Sequence, residues 1–267
     1  MTSAPLLSIR DLHVGLGQRT VIDGLSFDVR PGELVGLIGP NGAGKSTLLR
    51  ALVGLIPSRG EITVSGSSGA GLTLAQRAGL MAYVPQEHEI AWPMSVERLV
   101  GLGRVPHSGT FALRRGDEDR RAIRDAMERM DVSRFAMRSA MALSGGEKAR
   151  VLIARALAQQ TPILIADEPA AGLDPAHQIA LMRIFRSLAG EGRAVVATLH
   201  DLGLASRWCT RLVVLNDGVI AADGPPREVL SERVLSEVYG IRAYLGTAEG
   251  GPVVQILDRT DRGGETI

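Results

Sequence analysis

The stretch Gly39-Pro40-Asn41-Gly42-Ala43-Gly44-Lys45-Ser46-Thr47 satisfies the pattern GxxxxGK(S/T), and its reading decides the fold. Glycines at 39, 42 and 44 let the backbone turn its amides inward around an anion, while a following helix points its positive end at the same place. In this pattern Lys45 bridges the outer phosphates and Ser46 ligates Mg2+, so a nucleoside triphosphate is the first candidate ligand. A glycine-rich turn alone can produce such a match, and the flanking residues decide between the two. Leu34 to Ile38 reads as a short buried strand, and Thr47 to Val53 as a helix with apolar residues at helical spacing. Strand, glycine loop, helix is the arrangement the motif requires.

Outward from the loop, residues 6–38 alternate short apolar runs with turn signals at Gly15, Gly17, Asp23-Gly24 and Pro31-Gly32, and Gly60 to Gly66 is another bounded strand. These predict an antiparallel sheet around the phosphate loop. From about Ser95 to Gln160 the pattern becomes helical, with Val96, Leu99, Val100 and Leu102 on one segment and Ile123, Met127 and Met130 on another. An inserted helical subdomain follows from this change. Ile163 to Ala166 and Ala194 to Leu199 are continuous apolar runs separated by a helix-like stretch at 176–189, as in a parallel sheet with crossover helices. Leu212 to Leu215, a turn at Asn216-Asp217-Gly218 and Val219 to Ala221 predict a closing hairpin. Residues 247–267 are glycine-rich and polar apart from Val253 to Leu257, which predicts a short edge strand and a frayed end. There is no internal repeat.

Composition limits the function classes. The 267 residues carry a formal net charge of +1, so no global basic field points to nucleic acid. Arg114, Arg115, Arg120, Arg121 and Arg124 cluster, but Asp117, Glu118, Asp119 and Asp125 interleave with them, as on a solvated helix face laced with ion pairs. Cys209 is the single cysteine, which excludes an intramolecular disulfide or a cysteine-rich metal site and fits a reducing compartment. The N-terminus, MTSAPLLSIRDLHV, lacks a basic region followed by an apolar core, and no stretch approaches the ~18 apolar residues of a membrane helix. Any membrane role is then peripheral.

Two further motifs carry chemistry. Ile163 to Ala166 is followed by Asp167 and Glu168, two carboxylates at the carboxyl end of a buried strand, where open α/β sheets bind ligands. Adjacent strand residues point to opposite faces, which would turn Asp167 to Mg2+ and Glu168 to an attacking water; the alternative is a strand ending in two solvated acids. In Leu143-Ser144-Gly145-Gly146-Glu147, Ser144 and Glu147 form a capping box for the helix through Leu152, Ile153, Ala156 and Leu157. Capping leaves the glycines unexplained, since two of them in a first helical turn cost ~1 kcal/mol each relative to alanine. A phosphate closely approaching that helix N-terminus would need the bare backbone.

GPNGAGKST, LSGGE, ILIADE and a strand ending in His200 occur in the order and placement of the ATP-binding cassette subunits of ABC transporters, and the resemblance covers nearly the whole chain. It implies an α/β fold: a P-loop NTPase (RecA-like) core with an antiparallel β subdomain and an inserted α-helical subdomain. The expected division is core and antiparallel sheet at 1–87, helical signature subdomain at 88–161, the rest of the core at 162–246, and a C-terminal strand and tail at 247–267. The resemblance further implies that ATP is bound by residues 39–47 (Gly39, Pro40, Asn41, Gly42, Ala43, Gly44, Lys45, Ser46 and Thr47). Gln86, in Tyr83-Val84-Pro85-Gln86, is similar to the family glutamine that reaches Mg2+ and senses the membrane partner, and joins Ser46 and Asp167 as a metal residue. His200 resembles the switch histidine at the γ-phosphate, and with Glu168 and Lys45 completes the catalytic set. Asp174 matches a loop that touches the opposite subunit, although Ala171 stands where the family more often has serine.

The family stacks adenine on an aromatic residue before the glycine that here is Gly17; this chain has Leu16, so aliphatic contact from Leu16 and Val21 is expected instead. By resemblance two copies pack head to tail, with Ser144, Gly145, Gly146 and Glu147 of one facing ATP on the other. The implied partners are therefore a second copy, polytopic permease subunits and, indirectly, a periplasmic or lipid-anchored solute-binding protein, with no nucleic acid, at the cytoplasmic face of the inner membrane. Ser95 to His107 and Gly218 to Gly240 resemble stretches of bacterial importer cassettes for ferric siderophores, haem and cobalamin, although Gly101 to His107 also reads as a plain helix end. Two other classes stay open: a non-transport cassette ATPase, and an importer of another solute. A P-loop kinase or GTPase would lack LSGGE.

Overall fold

A computed structural model describes residues 3–87, 89–90, 92–107, 116–249 and 251–260. The chain opens with the long strands β1 (Leu7–Leu16) and β2 (Arg19–Val29), followed by β3 (Leu34–Ile38), the phosphate-loop helix α1 (Lys45–Leu52), β4 (Arg59–Val64) and the short β5 (Ser67–Ser68). Next come α2 (Leu74–Leu80) and β6 (Met81–Val84), then the helices α3 (Val96–Gly101), α4 (Asp117–Arg129) and α5 (Gly145–Ala158). β7 (Ile163–Ala166), α6 (Pro175–Gly190), β8 (Ala194–Thr198) and α7 (Leu202–Trp208) complete two strand-helix units. The chain closes with β9 (Arg211–Asn216), β10 (Val219–Gly224), the short helices α8 (Pro226–Val229) and α9 (Glu232–Glu237), and the strands β11 (Ile241–Ala248) and β12 (Gly251–Arg259).

The six-stranded sheet runs β10-β9-β3-β8-β7-β6, and all its pairings are parallel except that of the edge strand β10 with β9. Its central strands read as unbroken apolar runs because both faces are covered. In β3, Leu34 and Ile38 join one buried cluster while Val35 and Leu37 join the other. β7 divides in the same way, with Leu164 and Ala166 on one side and Ile163 and Ile165 on the opposite side. Period-two alternation thus sends alternate side chains into two cores, one under the helices and one under α1 and the antiparallel sheet. That second sheet, β2-β1-β4-β5, is antiparallel throughout. β3 does not belong to it, although the turn signals group residues 6–38. All five β3 residues are buried, and a one-faced sheet cannot cover them.

α3, α4 and α5 bury Val96, Leu99, Val100, Ile123 and Met127 together with the following Met130. Leu102, expected on that apolar stripe, is exposed instead, because α3 ends at Gly101 and a 3-10 turn at residues 102–104 changes the helical phase. At Gly103 a side chain is impossible without backbone movement: a Cβ there would lie 2.1 Å from the Arg155 carbonyl oxygen of α5. The arginines of α4 are exposed, with Arg120 paired to Asp117 at 3.3 Å; Arg114 and Arg115 lie outside the described residues.

The C-terminal prediction needs correction. β12 extends neither sheet as an edge strand; it pairs with β11 alone, in a separate antiparallel hairpin. A boundary at 247 falls inside β11, so the hairpin begins at residue 241. Arg207 of α7 donates to the Ala248 carbonyl at 3.1 Å and faces Glu249 at 3.6 Å, which holds the hairpin against the helix that follows β8. The predicted frayed end at 261–267 lies outside the described residues.

Candidate nucleotide site

β3 delivers the chain to Gly39, whose φ of 149° and packing admit only glycine, because a Cβ would lie 2.0 Å from the Leu215 carbonyl oxygen of β9. The loop then turns through Gly42 and Gly44, and Gly44 caps α1 without a side-chain hydrogen bond. With no acid in its first turn, α1 presents free amides and a positive dipole end at residues 44–47. The Lys45 ammonium folds back over the loop, donating to the Gly39 carbonyl at 2.8 Å and the Pro40 carbonyl at 2.9 Å. Burial holds its pKa below the ordinary lysine range, against the opposing charges of Glu168 and Asp167.

The neighbouring strands bring the acids to the same place. Asp167 is fully buried, and its Oδ1 accepts from the Ser46 hydroxyl at 3.0 Å and the Thr198 hydroxyl at 2.9 Å. Its Oδ2 is buried with no hydrogen-bond partner among the described residues. Thr198 also accepts the backbone N–H of Glu168 at 2.6 Å, so one hydroxyl at the end of β8 sets both acids. Burial and the charge of Asp167 raise the pKa of the nearby Tyr83 hydroxyl.

Strand alternation does not separate the two carboxylates, since β7 ends at Ala166, before either of them. Glu168 instead takes a left-handed φ of 49°, a conformation that non-glycine residues seldom adopt, and its carboxylate lies beside His200. His200 likewise lies beyond its strand, which ends at Thr198. Its Nε2 stands 2.7 Å from Glu168 Oε1, which sets the imidazole directly beside the carboxylate.

A cleft of about 280 Å³ brings together Asn41, Gly42, residues 44–47, Glu168 and His200 with Leu16, Arg19 and Val21 from the β1–β2 hairpin. Ser144, Gly145, Gly146, Glu147, Asp174 and Gln86 do not line it. Ser144 and Glu147 form the expected capping box on α5, which leaves Glu147 with a pKa below the ordinary carboxylate range because the Ser144 N–H donates to it. A Cβ on Gly146 would meet the Gly172 carbonyl at 3.6 Å, which places the α5 N-terminus beside the 171–174 loop. Asp174 caps α6 by accepting from His177 N–H at 3.0 Å, and Gln86 is exposed just after β6. Thr198 and Arg19 were not singled out from the sequence. The signal for Thr198 was present: it is the one hydroxyl in the buried run Ala194 to Thr198.

Residues 22–171 match the family described as ABC transporter. A cobalamin import ATP-binding protein of Halobacterium salinarum is 43% identical over 97% of this chain, and the chain spans 66% of that relative's length. A hemin import ATP-binding protein of Streptomyces coelicolor is 47% identical over 85% of this chain and 81% of its own. Among solved structures, one described as an inward-facing conformation of a metal-chelate type ABC transporter matches with a TM-score of 0.81 at 25% identity, covering 97% of this chain and 99% of that one.

Proposed function

We propose, because this chain belongs to the ABC transporter family, that it hydrolyses ATP to drive import of a metal chelate of the haem, cobalamin or ferric-siderophore kind through a membrane permease. The observation that carries the reading is the convergence of Lys45, Ser46, Asp167, Thr198, Glu168 and His200 at the carboxyl ends of β3, β7 and β8. The importer assignment takes its support from the relatives' names and from the stretches Ser95 to His107 and Gly218 to Gly240.

The donor set suits Mg2+. The buried, unpartnered Asp167 Oδ2 beside the Ser46 hydroxyl is a hard oxygen pair, and Mg2+ is held by few protein oxygens plus substrate phosphates. Ser46 and Asp167, with Gln86 brought nearer, would hold the ion, which when bound offsets negative charge on the terminal phosphates.

The chain's own groups do the rest. The amides of residues 42–47 and the Lys45 ammonium take the phosphates, with Lys45 exchanging its carbonyl partners for phosphate oxygens. Glu168, placed beside His200 and with its backbone N–H held by Thr198, orients the attacking water and takes its proton. The Ser144–Glu147 helix end does not line this cleft, so a second copy packed head to tail is the source of the amides that close over the γ-phosphate. ATP binding then favours the closed pair, and hydrolysis releases it. By likeness to the importer relatives, the proposed place is the cytoplasmic face, peripheral to a polytopic permease that a solute-binding protein supplies; no helix among the described residues is long and apolar enough to cross a membrane.

The test is Glu168→Gln, assayed with the permease in vesicles. Calorimetric ATP binding should persist while phosphate release falls by about 100-fold or more. Hydrolysis at the wild-type rate sinks the assignment of Glu168, and failure of the wild-type chain to co-purify with a polytopic membrane protein sinks the transport reading.

A further inference from the structure

The tip of the β1–β2 hairpin forms one wall of the phosphate-loop cleft. Leu16 and Arg19 are paired across its turn, and both line the cleft with Val21. None of the cleft-lining residues is Phe, Tyr or Trp. A nucleotide seated by its phosphates on Lys45 and α1 would therefore present a flat π-surface to two aliphatic side chains and one guanidinium.

Arg19 differs from Arg10 and Arg211 in what it touches. Arg10 is held by Asp28 at 2.8 Å, and Arg211 by Asp223 at 2.6 Å and Glu33 at 3.3 Å. The Arg19 guanidinium is exposed and makes neither hydrogen bond nor ion pair among the described residues. Within the cleft it is the second cation, set apart from Lys45, which is tied to the loop carbonyls. A guanidinium is planar and weakly hydrated, and it gains by lying over an electron-rich ring.

We propose that Arg19 holds the nucleotide base, stacking its guanidinium on one face of the purine while Leu16 and Val21 supply aliphatic contact. This rests on the nucleotide-site reading above and adds to it the residue that replaces an aromatic platform. Stacking of this kind senses the π-face and leaves the base edges unread, so adenine and guanine nucleotides should bind with affinities within about 5-fold of each other.

The experiment is calorimetry on the full chain with Mg-ATP, Mg-GTP and Mg-tripolyphosphate, the last having phosphates and no base. Arg19→Ala should weaken ATP about 5-fold and leave tripolyphosphate unchanged, since an exposed cation–π contact is worth on the order of 1 kcal/mol. Arg19→Tyr should restore ATP affinity, and Arg19→Lys should restore it only in part, because an ammonium cannot stack as a plane. An equal loss for ATP and tripolyphosphate makes Arg19 a phosphate ligand and overturns the proposal. Unchanged ATP binding by Arg19→Ala overturns it too, while leaving the nucleotide site standing. A wild-type chain that binds neither ATP nor tripolyphosphate overturns both readings together.

Discussion

Thr198 gives its single proton to Asp167 and takes the N–H of Glu168, so one hydroxyl oxygen fixes a buried carboxylate and the left-handed turn beside it. Replacing it with the near-isosteric valine leaves Asp167 Oδ1 with Ser46 as its remaining donor and orphans the Glu168 amide. Thr198→Val should therefore lose about 1–3 kcal/mol of stability by denaturant unfolding. Its turnover should drop more than its ATP affinity, because the aim of Glu168 is disturbed while the phosphate loop is untouched. Thr198→Ser, which keeps the oxygen, should recover most of both. If the valine variant turns over normally, Thr198 is not a positioning residue. Asp167 and Glu168 could be picked out in the chain because acids at the end of a buried run are a local signal. Thr198 became visible as their partner only once β8 lay beside β7.

Helix ends and helix crossings set the next scale. The Ser144–Glu147 capping box is local, so sequence alone predicts it, and the structure forms it. Because the N–H and hydroxyl of Ser144 hold Glu147 below the ordinary carboxylate range, its folded pKa lies under its unfolded value of about 4.3. The stabilisation is thus fully present above the unfolded value and is lost as pH falls through the lower folded one. Thermal midpoints should show wild type above Glu147→Gln at neutral pH and the gap closing as the pH falls below the ordinary carboxylate range; a gap constant across that range would contradict the assignment. The crossing of Gly103 on α5 had no such local signature. Since a Cβ there would meet the Arg155 carbonyl at 2.1 Å, Gly103→Ala should cost roughly 1–3 kcal/mol on chemical unfolding, and an alanine variant of native stability would mean the helices slide apart freely.

At the scale of the whole molecule, part of the proposed machinery does not line the cleft. Lys45 and Glu168 line it, whereas Ser144–Glu147 and Asp174 lie around the α5 N-terminus and the 171–174 loop. A head-to-tail pair would bring the two sets together across one ATP. Glu168→Gln, unable to discharge the nucleotide, should accumulate as a dimer with Mg-ATP, read by light scattering as twice the 28.3 kDa chain mass, and return to monomer when EDTA strips the metal. A variant that stays monomeric at saturating Mg-ATP removes the second-copy role of the Ser144 helix end.

The amino-acid sequence alone determined what short-range chemistry can write: a glycine loop between a buried strand and a helix, a capping box, two acids closing an apolar run. Period-two and helical patterning also predicted the layered α/β core, because burial on one face or on two leaves different repeats in the chain. Tertiary structure decided what depends on strand order. β3 left the antiparallel sheet for the parallel one, His200 came to lie beside Glu168 across β8 and β7, and Arg19 came to share a cleft with Lys45. It also turned the expected C-terminal edge strand into a hairpin held by Arg207. The reason is the same in each case. A strand's apolar pattern states that it is covered but does not name its neighbour, and these contacts join residues whose proximity exists only after the sheets are assembled.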